Sequence, residues 1–331
     1  MKYFNAEQKL RLAIFLLLTL NLGIQAVQLA AQTIPNQFKD PNLNCNYNLK
    51  DGMLNGKYLS FYPNGNRKSE GEFKNNNRIG KWTIWDSTDN KICEREYKNA
   101  FVYKQNFPLN PNNFTLLNDR DSNEIIKEFF IKEAMISAYS KIWRMISEEN
   151  NPILFENNRL SKLLINSMLN GKITAYDIAD EEFTKPLSVL QLKEKFEFDK
   201  LEIKAYKIKE VWFLDTVRKI SEVRILGICP IAKSKNENEV SQNLFWFYFP
   251  DISKVLATDK IKKKLIFPVI TNMDDIFVFR HFASTIIKEE NPYNKAIKDY
   301  KTGKDIEIEA EKIQLKLIEL EHDFWMLFTK K

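Results

Sequence analysis

The segment GKYLSFYPNGNRKSEGEF, beginning at Gly56, is answered 24 positions later by GKWTIWDSTDNKICEREY, beginning at Gly80. Superposition aligns Gly56 with Gly80, Lys57 with Lys81, Tyr58 with Trp82, Phe61 with Trp85, Asn66 with Asn90, Glu72 with Glu96 and Phe73 with Tyr97. Aromatic residues recurring at fixed phase require the same local conformation twice. In each copy an alternating aromatic run meets a turn, PNGN or STDN, and a second run follows, which is the pattern of a β-hairpin. Asn64-Gly65 is a strong hairpin signal because both residues tolerate positive φ. A lone hairpin is marginal in water, so the second copy supplies what the first lacks. Tyr58, Phe61, Trp82 and Trp85 are expected to provide most of the apolar face.

Ahead of the repeat, Lys9 and Arg11 precede LAIFLLLTLNLGI, a basic flank and an apolar run too short to span a bilayer. Residues 1–31 therefore read as a secretory signal, cleaved after Ala26 or Ala31, with no cysteine beside either for lipid attachment; a retained membrane anchor is the alternative. In an oxidising compartment the three cysteines cannot all pair. Cys45 and Cys93 bracket the repeat and are the candidate disulfide, while Cys229 sits in RILGICPI, apolar enough to bury it as a small hydrophobe. The net charge is +6, with acids and bases interleaved as in KEEN and EAEK, which describes a solvated surface and excludes a nucleic-acid stripe.

With 331 residues, two domains follow the signal. The turn-rich KQNFPLNPNNFTLLND (104–119) divides a repeat domain, 32–103, from a larger domain, 120–331. Deleting 45–103 is expected to leave the larger domain folded. Asp121 and Glu124 resemble a capping box, and Ile125, Phe129, Ile136, Tyr139, Trp143 and Ile146 keep helical spacing, so a helix is expected there. A second helix runs from Arg159 to Asn170 and stops at Gly171; Thr174 and Asp177 start a short third. IKAYKIKEVWFLD (203–215), SEVRILGICPI (221–231) and LFWFYFP (244–250) are strands, the last unbroken by polar residues and so central. Helical segments are expected at 251–257, 274–287 and 291–299. A final helix, Asp305 to Phe328, carries a seam of Ile306, Ala310, Ile313, Leu317, Leu320, Phe324 and Leu327 that lies on its own sheet or on a neighbouring subunit. The fold class is α+β: a small antiparallel hairpin-repeat domain, then a mixed domain with a short antiparallel sheet packed by several helices and a long C-terminal helix.

Catalytic patterns are wanting. The two histidines, His281 and His322, are too far apart for a short metal motif, and no nucleophile elbow, Gly-rich phosphate loop or redox thiol pair occurs. Asp215 and Glu222 straddle a turn, and helix capping accounts for Asp274-Asp275. Neither pair has the opposed arrangement of a glycosidase.

The repeats resemble MORN-type repeats, which occur in unrelated proteins and imply no chemistry. A more specific resemblance lies downstream. AYSKIWRMI (138–146), NGKITAYD (170–177), KEVWFLD (209–215), EVRILGICPI (222–231), LFWFYFPDISKVLA (244–257) and DDIFVFRHFASTIIKEENPYNKAIKDY (274–300) follow the order and spacing of the GldN/PorN family of type IX secretion and gliding-motility proteins of Bacteroidetes. The sequence departs from the family pattern in having Lys295 where Arg is expected, in MISEENNPILF after Arg144, and in carrying the repeats at all. The resemblance implies a non-enzymatic periplasmic protein without cofactor or small-molecule substrate. Such a protein forms a ring of its own copies with a GldK/PorK-like lipoprotein on the inner face of the outer membrane, and meets a GldM/PorM-like shaft. Within the matching blocks, Trp143, Arg144, Tyr176, Asp177, Trp212, Arg218, Arg224 and Arg280 are candidate subunit or partner contacts, with core packing as the competing role for the aromatics. Arg224 can equally pair with Glu222 or Asp215 inside the fold. Two alternatives to the scaffold remain: an envelope enzyme acting on glycan, and a periplasmic binding module carried by the repeats.

Overall fold

The computed structural model describes residues 37–40, 44–98, 101–105, 120–126, 131–216, 220–233, 241–261 and 270–329. The expected signal segment 1–31, most of the expected linker 104–119, and Arg218 lie outside the described residues. Phe38–Lys331 form one compact unit.

The repeats build the first sheet. Its strands are β1 (Gln37–Asp40), β2 (Cys45–Lys50), β3 (Met53–Leu54), β4 (Gly56–Phe61), β5 (Arg67–Lys74), β6 (Asn77–Trp85), β7 (Lys91–Lys98) and β8 (Phe101–Gln105). All but β3 lie side by side in chain order, and β3 pairs back on β2. The repeat period survives in the backbone: Gly65 (φ 87°) and Asp89 (φ 67°), 24 positions apart, occupy equivalent left-handed turn positions. The two turns also touch, since the side-chain amides of Asn64 and Asn66 both donate to the Ser87 carbonyl, at 2.8 and 2.9 Å. Tyr58 and Trp82 stack on the inner face with ring centroids 5.5 Å apart. The close approach explains Gly71, opposite Tyr58, because a Cβ there would stand 2.1 Å from the Trp82 ring. Phe61, three positions from Tyr58, falls on the opposite face by strand alternation, and Phe73 and Tyr97 complete the inner face in its place.

The rest of the chain comprises β9 (Ile136–Ser147), α1 (Pro152–Phe155), α2 (Arg159–Leu169), β10 (Ala175–Tyr176), β11 (Pro186–Leu187), α3 (Val189–Lys195), β12 (Ile203–Asp215), β13 (Ile220–Ala232), β14 (Gln242–Asn243), β15 (Trp246–Tyr248), α4 (Phe249–Thr258), α5 (Met273–Val278), β16 (Thr285–Glu289) and α6 (Lys304–Thr329). Its antiparallel sheet has the order β11-β10-β15-β13-β12-β9-β16, with β14 paired to β13. One face is covered at one end by α2 to α5, with Leu164, Ile252, Leu256 and Ile276 set against Ile208 and Ile228. The other end of that face is covered by α6.

Helix α6 is apolar on two sides. Ala310, Ile313 and Leu317 pack with Trp212 and Leu214 of the mixed sheet, and with Ile84 and Cys93 of the repeat sheet, while Leu315 and Ile318 join Tyr58 and Trp82. The seam thus lies on the chain's own sheets, although Leu320 stays 39% exposed. The side chains of Phe324 and Leu327 lie outside the described residues.

Several expectations are corrected. The helix expected through Ile136 to Ile146 is the strand β9, set between β12 and β16 with both faces occupied, so its apolar residues fall on either side and imitate helical spacing. Asp121 forms a turn, its carboxylate accepting from the backbone of Asn123 and Ile125, in place of opening a helix. Thr174 and Asp177 flank β10, not a helix, and the Asp177 carboxylate accepts from Ala179 N at 2.8 Å. The helix expected over 274–287 ends at Val278, and β16 follows; within 291–299 only Ile297–Asp299 forms a helical turn.

Cys45, Cys93 and Cys229 are all buried. A Cys45–Cys93 bridge is corrected by topology: β2 and β7 lie four strand spacings apart, about 19 Å, well beyond the roughly 7 Å Cα limit of a disulfide. Cys229 packs between Trp143 and Trp246, and burial pushes its thiol up to about 12.

Because the repeat sheet shares α6 with the mixed sheet, removal of 45–103 strips cover from Leu315, Ile318 and two glutamates described below. Against the sequence expectation, that deletion should unfold α6 or aggregate the chain, seen as loss of amide-exchange protection over 310–322.

Candidate interaction surface

Residues directly opposite in an antiparallel ladder share a face, and neighbours along a strand alternate. In β9 and β12 the pairs Arg144–Ile208, Ile142–Glu210 and Ser140–Trp212 point to the helix-covered face. The pairs Trp143–Lys209 and Lys141–Val211 point the other way. Trp143 and Arg144, adjacent candidates in the sequence, are therefore on opposite sides of the sheet.

On the covered face Glu210 is 1% exposed and is held by two arginines. Arg144 Nε donates to its Oε1, and Arg280 Nη1 donates to its Oε2 at 2.9 Å. Burial alone would raise the Glu210 carboxyl, but the two guanidiniums outweigh it and hold it below the ordinary value of 4.5. Arg280 follows α5 in a Schellman turn, with His281 N donating to Ile276 O at 2.7 Å and Arg280 N to Phe277 O at 3.1 Å. Its φ of 49° is a conformation usually left to glycine and costs an L-residue about 1–2 kcal/mol. The side chain's reach to Glu210 is the evident return for that strain. Arg144 continues to α6, its Nη2 donating to Gln314 Oε1 at 2.7 Å. One turn back on α6, Glu311 is 1% exposed and its Oε2 meets no donor among the described residues. Burial, reinforced by Glu307 and only partly opposed by Arg144, holds the Glu311 carboxyl well above the ordinary 4.5.

The far side of α6 repeats the motif against the first sheet. Glu321 binds Arg78 at 2.6 Å and Arg95 at 3.1 Å, and Glu319 binds Lys68 at 2.5 Å and accepts from the Tyr58 hydroxyl at 2.9 Å. Trp212 belongs to the apolar cluster under α6. Three of the eight candidates, Arg144, Trp212 and Arg280, are thus internal.

Among the described residues no helix covers the opposite face of the mixed sheet. A loop from Asp177 to Lys185 crosses it, anchored where Phe183 presses on Gly227, whose missing Cβ would stand 2.5 Å from that ring. Trp246 Nε1 donates to Ile178 O at 3.2 Å, and Tyr176 packs edge-on to Phe183. Beneath the loop lies a layer of ammonium groups on indole faces: Lys288 Nζ is 3.8 Å from the Trp143 ring centre, Lys209 Nζ 5.6 Å from it, and Lys207 Nζ 4.8 Å from that of Trp246. Further along this face Arg224 binds Glu222 at 2.6 Å, as the sequence allowed, and lies over Phe213. Tyr139, paired with Phe213, is 64% exposed. Trp143, Tyr176 and Arg224 therefore belong to the helix-free face, Asp177 sits at the base of the loop, and Arg218 lies outside the described residues.

Sequence reading missed Glu210, Lys209 and Lys288. For Lys209 and Glu210 the available signal was KAYKIKEVW, which places charges inside a strand otherwise rich in apolar residues; Lys288 fell in a stretch read as helix. Among the described residues no three His, Cys, Asp or Glu side chains are grouped to hold a metal ion, and no helix is long and apolar enough to cross a membrane.

The family model described as "Gliding motility associated protein GldN" matches residues 131–326, from just before β9 to the last turns of α6. No curated protein matches the chain.

Two substitutions test the buried charges. Glu210→Gln leaves two buried guanidiniums without a counter-charge and should destabilise the fold by about 3–5 kcal/mol in urea titrations at pH 7. Since the folded-state carboxyl is depressed, that difference should be full above the ordinary value of 4.5 and shrink as pH falls below it. Glu311 has the opposite sign: its raised carboxyl favours folding below 4.5 and loses that contribution as pH rises. Glu311→Gln should therefore match the parent near pH 4 and exceed it at pH 8, the gap opening by at most about 1.4 kcal/mol per pH unit.

Proposed function

Because the chain belongs to the GldN family, whose members are structural components of gliding motility and type IX secretion, we propose that it is a non-enzymatic ring subunit of that machinery. In this reading residues 1–31 direct export, the mature protein lies in the periplasm against the inner face of the outer membrane, and residues 120–331 form the ring domain. Copies of the chain associate with one another and with a GldK/PorK-like lipoprotein, and the ring meets a GldM/PorM-like shaft protein. The repeats, 32–103, are an accessory element fused ahead of the ring domain.

The observation that carries the reading is the family match across the whole mixed sheet and α6. The sheet itself supports it. One face is consumed by the chain's own helices, and the other is left to a loop, an ammonium layer and exposed Tyr139. Ring closure needs a surface that meets a different surface on the next copy, anchored by aromatic and arginine side chains. Of the original candidates, Arg224 and Tyr176 on the helix-free face suit that role, whereas Arg144, Trp212 and Arg280 support the fold.

Co-expression with the neighbouring lipoprotein, followed by co-purification and electron microscopy, tests the proposal. Arg224→Ala and Tyr139→Ala should weaken association, by about 2 kcal/mol for a true anchor, while melting temperature barely moves. Arg280→Ala should lower melting first. A chain and lipoprotein that never associate would overturn the assignment.

A further inference from the structure

The helix-free face has a recess bounded by Lys141, Trp143, Lys209, Lys288, Glu182 and Asn294. Its charges are layered. The cations form the floor: the Lys209 side chain is 1% exposed, that of Lys288 11% and that of Lys207, beside them, 16%. The anions stand at the rim, Glu182 being 69% and Glu290 44% exposed. Glu182 makes the shorter bridge, at 3.0 Å from Lys209 Nζ and 3.3 Å from Lys141 Nζ. Glu181 reaches Lys288 and Lys207 only at 3.9 and 4.0 Å.

The remaining contacts of the floor leave its charge in place. Cation–π stacking on Trp143 and Trp246 stabilises the ammonium groups without neutralising them. The buried Trp143 Nε1–H meets no acceptor among the described residues. Burial, together with the like charges of Lys207 and Lys209 and against the pull of Glu181, holds Lys288 below the ordinary lysine value. This is a cation layer short of anions, with a solvent-exposed glutamate as its main counter-charge.

From this geometry we infer that the recess binds a carboxylate side chain from an acidic segment of a partner protein, which takes the place of Glu182 over Lys209, Lys288 and Trp143. The indole faces are covered by ammonium groups, and Trp143 and Trp246 are 4% and 0% exposed, so neither offers the bare platform on which a sugar ring or a base would stack. A carboxylate matches the donors present: ammonium groups and the side-chain amide of Asn294, which meets Lys288 Nζ through its oxygen at 2.6 Å. The inference rests on the scaffold reading in one respect, that the acid is supplied by a member of the assembly.

The test uses the full chain with its tryptophan indoles labelled by 15N, titrated with end-blocked hexaglutamate. Hexaglutamine, sodium acetate, inorganic phosphate and chitotriose serve as parallel probes. The expected result is a saturable shift of the Trp143 indole resonance with hexaglutamate and none with hexaglutamine, with acetate acting only at much higher concentration. Lys288→Gln should weaken hexaglutamate binding about tenfold, and Glu182→Gln, an exposed substitution that spares the fold, should tighten it. No saturable shift, equal binding by Lys288→Gln and the parent, weaker binding by Glu182→Gln, or saturation by phosphate or chitotriose at lower concentration than by hexaglutamate would each overturn it. A chain that still forms rings yet ignores the peptide removes this inference alone. Peptide binding by a chain that never assembles removes the scaffold reading and leaves the carboxylate site standing.

Discussion

Two buried glutamates, each clasped by two arginines, lock a single helix between two sheets. Glu321 of α6 takes Arg78 and Arg95 from the repeat sheet, while Glu210 of the mixed sheet takes Arg144 and Arg280, and Arg144 passes the connection to Gln314 of α6. Buried ion pairs add little to stability compared with apolar packing of the same shape, but each partner becomes indispensable once the others are there. Leu315 and Ile318 on one side of α6, and Ala310, Ile313 and Leu317 on the other, supply the apolar driving force. The arginines add direction, because a guanidinium paired with a carboxylate in a dry interior fixes where that carboxylate must stand.

This arrangement makes the repeat sheet part of the core. Its inner aromatics cover α6, and the turn at Asn76 and Asn77 reaches across to the backbone at Ser284 and Phe282, just beyond Arg280. The same short stretch, 280–284, thus serves the glutamate clasp, the repeat sheet and the start of β16. With one sheet face covered in this way, the other face of the mixed sheet is crossed, among the described residues, by the loop from Asp177 to Lys185. Beneath that loop the ammonium groups of Lys207, Lys209 and Lys288 lie over the indoles of Trp143 and Trp246, which keeps the lysine charges stabilised at low exposure.

Much of the local structure was legible in the residues. The period of 24, the Asn64-Gly65 turn, the β12–β13 hairpin, the stop at Gly171 and the extent of α6 all come from short-range rules of turn geometry, side-chain alternation and capping. β9 was misread for a physical reason. A strand apolar on both faces loses the alternation that distinguishes it from a helix, and its buried Arg144 stands where an apolar residue would have restored the pattern. Of the candidate contacts, Arg224 paired with Glu222 two positions away, a neighbour relation that a strand enforces by itself. Arg144 and Arg280 met Glu210 across 66 and 70 positions, and no local rule names such a partner.

By itself the sequence determined the repeat hairpins, the strands β12 and β13 and the helices α2 and α6, because those preferences are settled by atoms a few residues apart, whereas β9 and β16 read as helix. It also determined the family, through blocks of residues whose order and spacing are written in the chain. Only the tertiary structure decided that Trp143 and Arg144 are buried on opposite faces of the sheet, that α6 is held from both sides, and that Lys209 lies at the floor of a charged recess. Those outcomes depend on which strands become neighbours, and strand neighbourhood is fixed by the burial of surfaces contributed from distant parts of the chain.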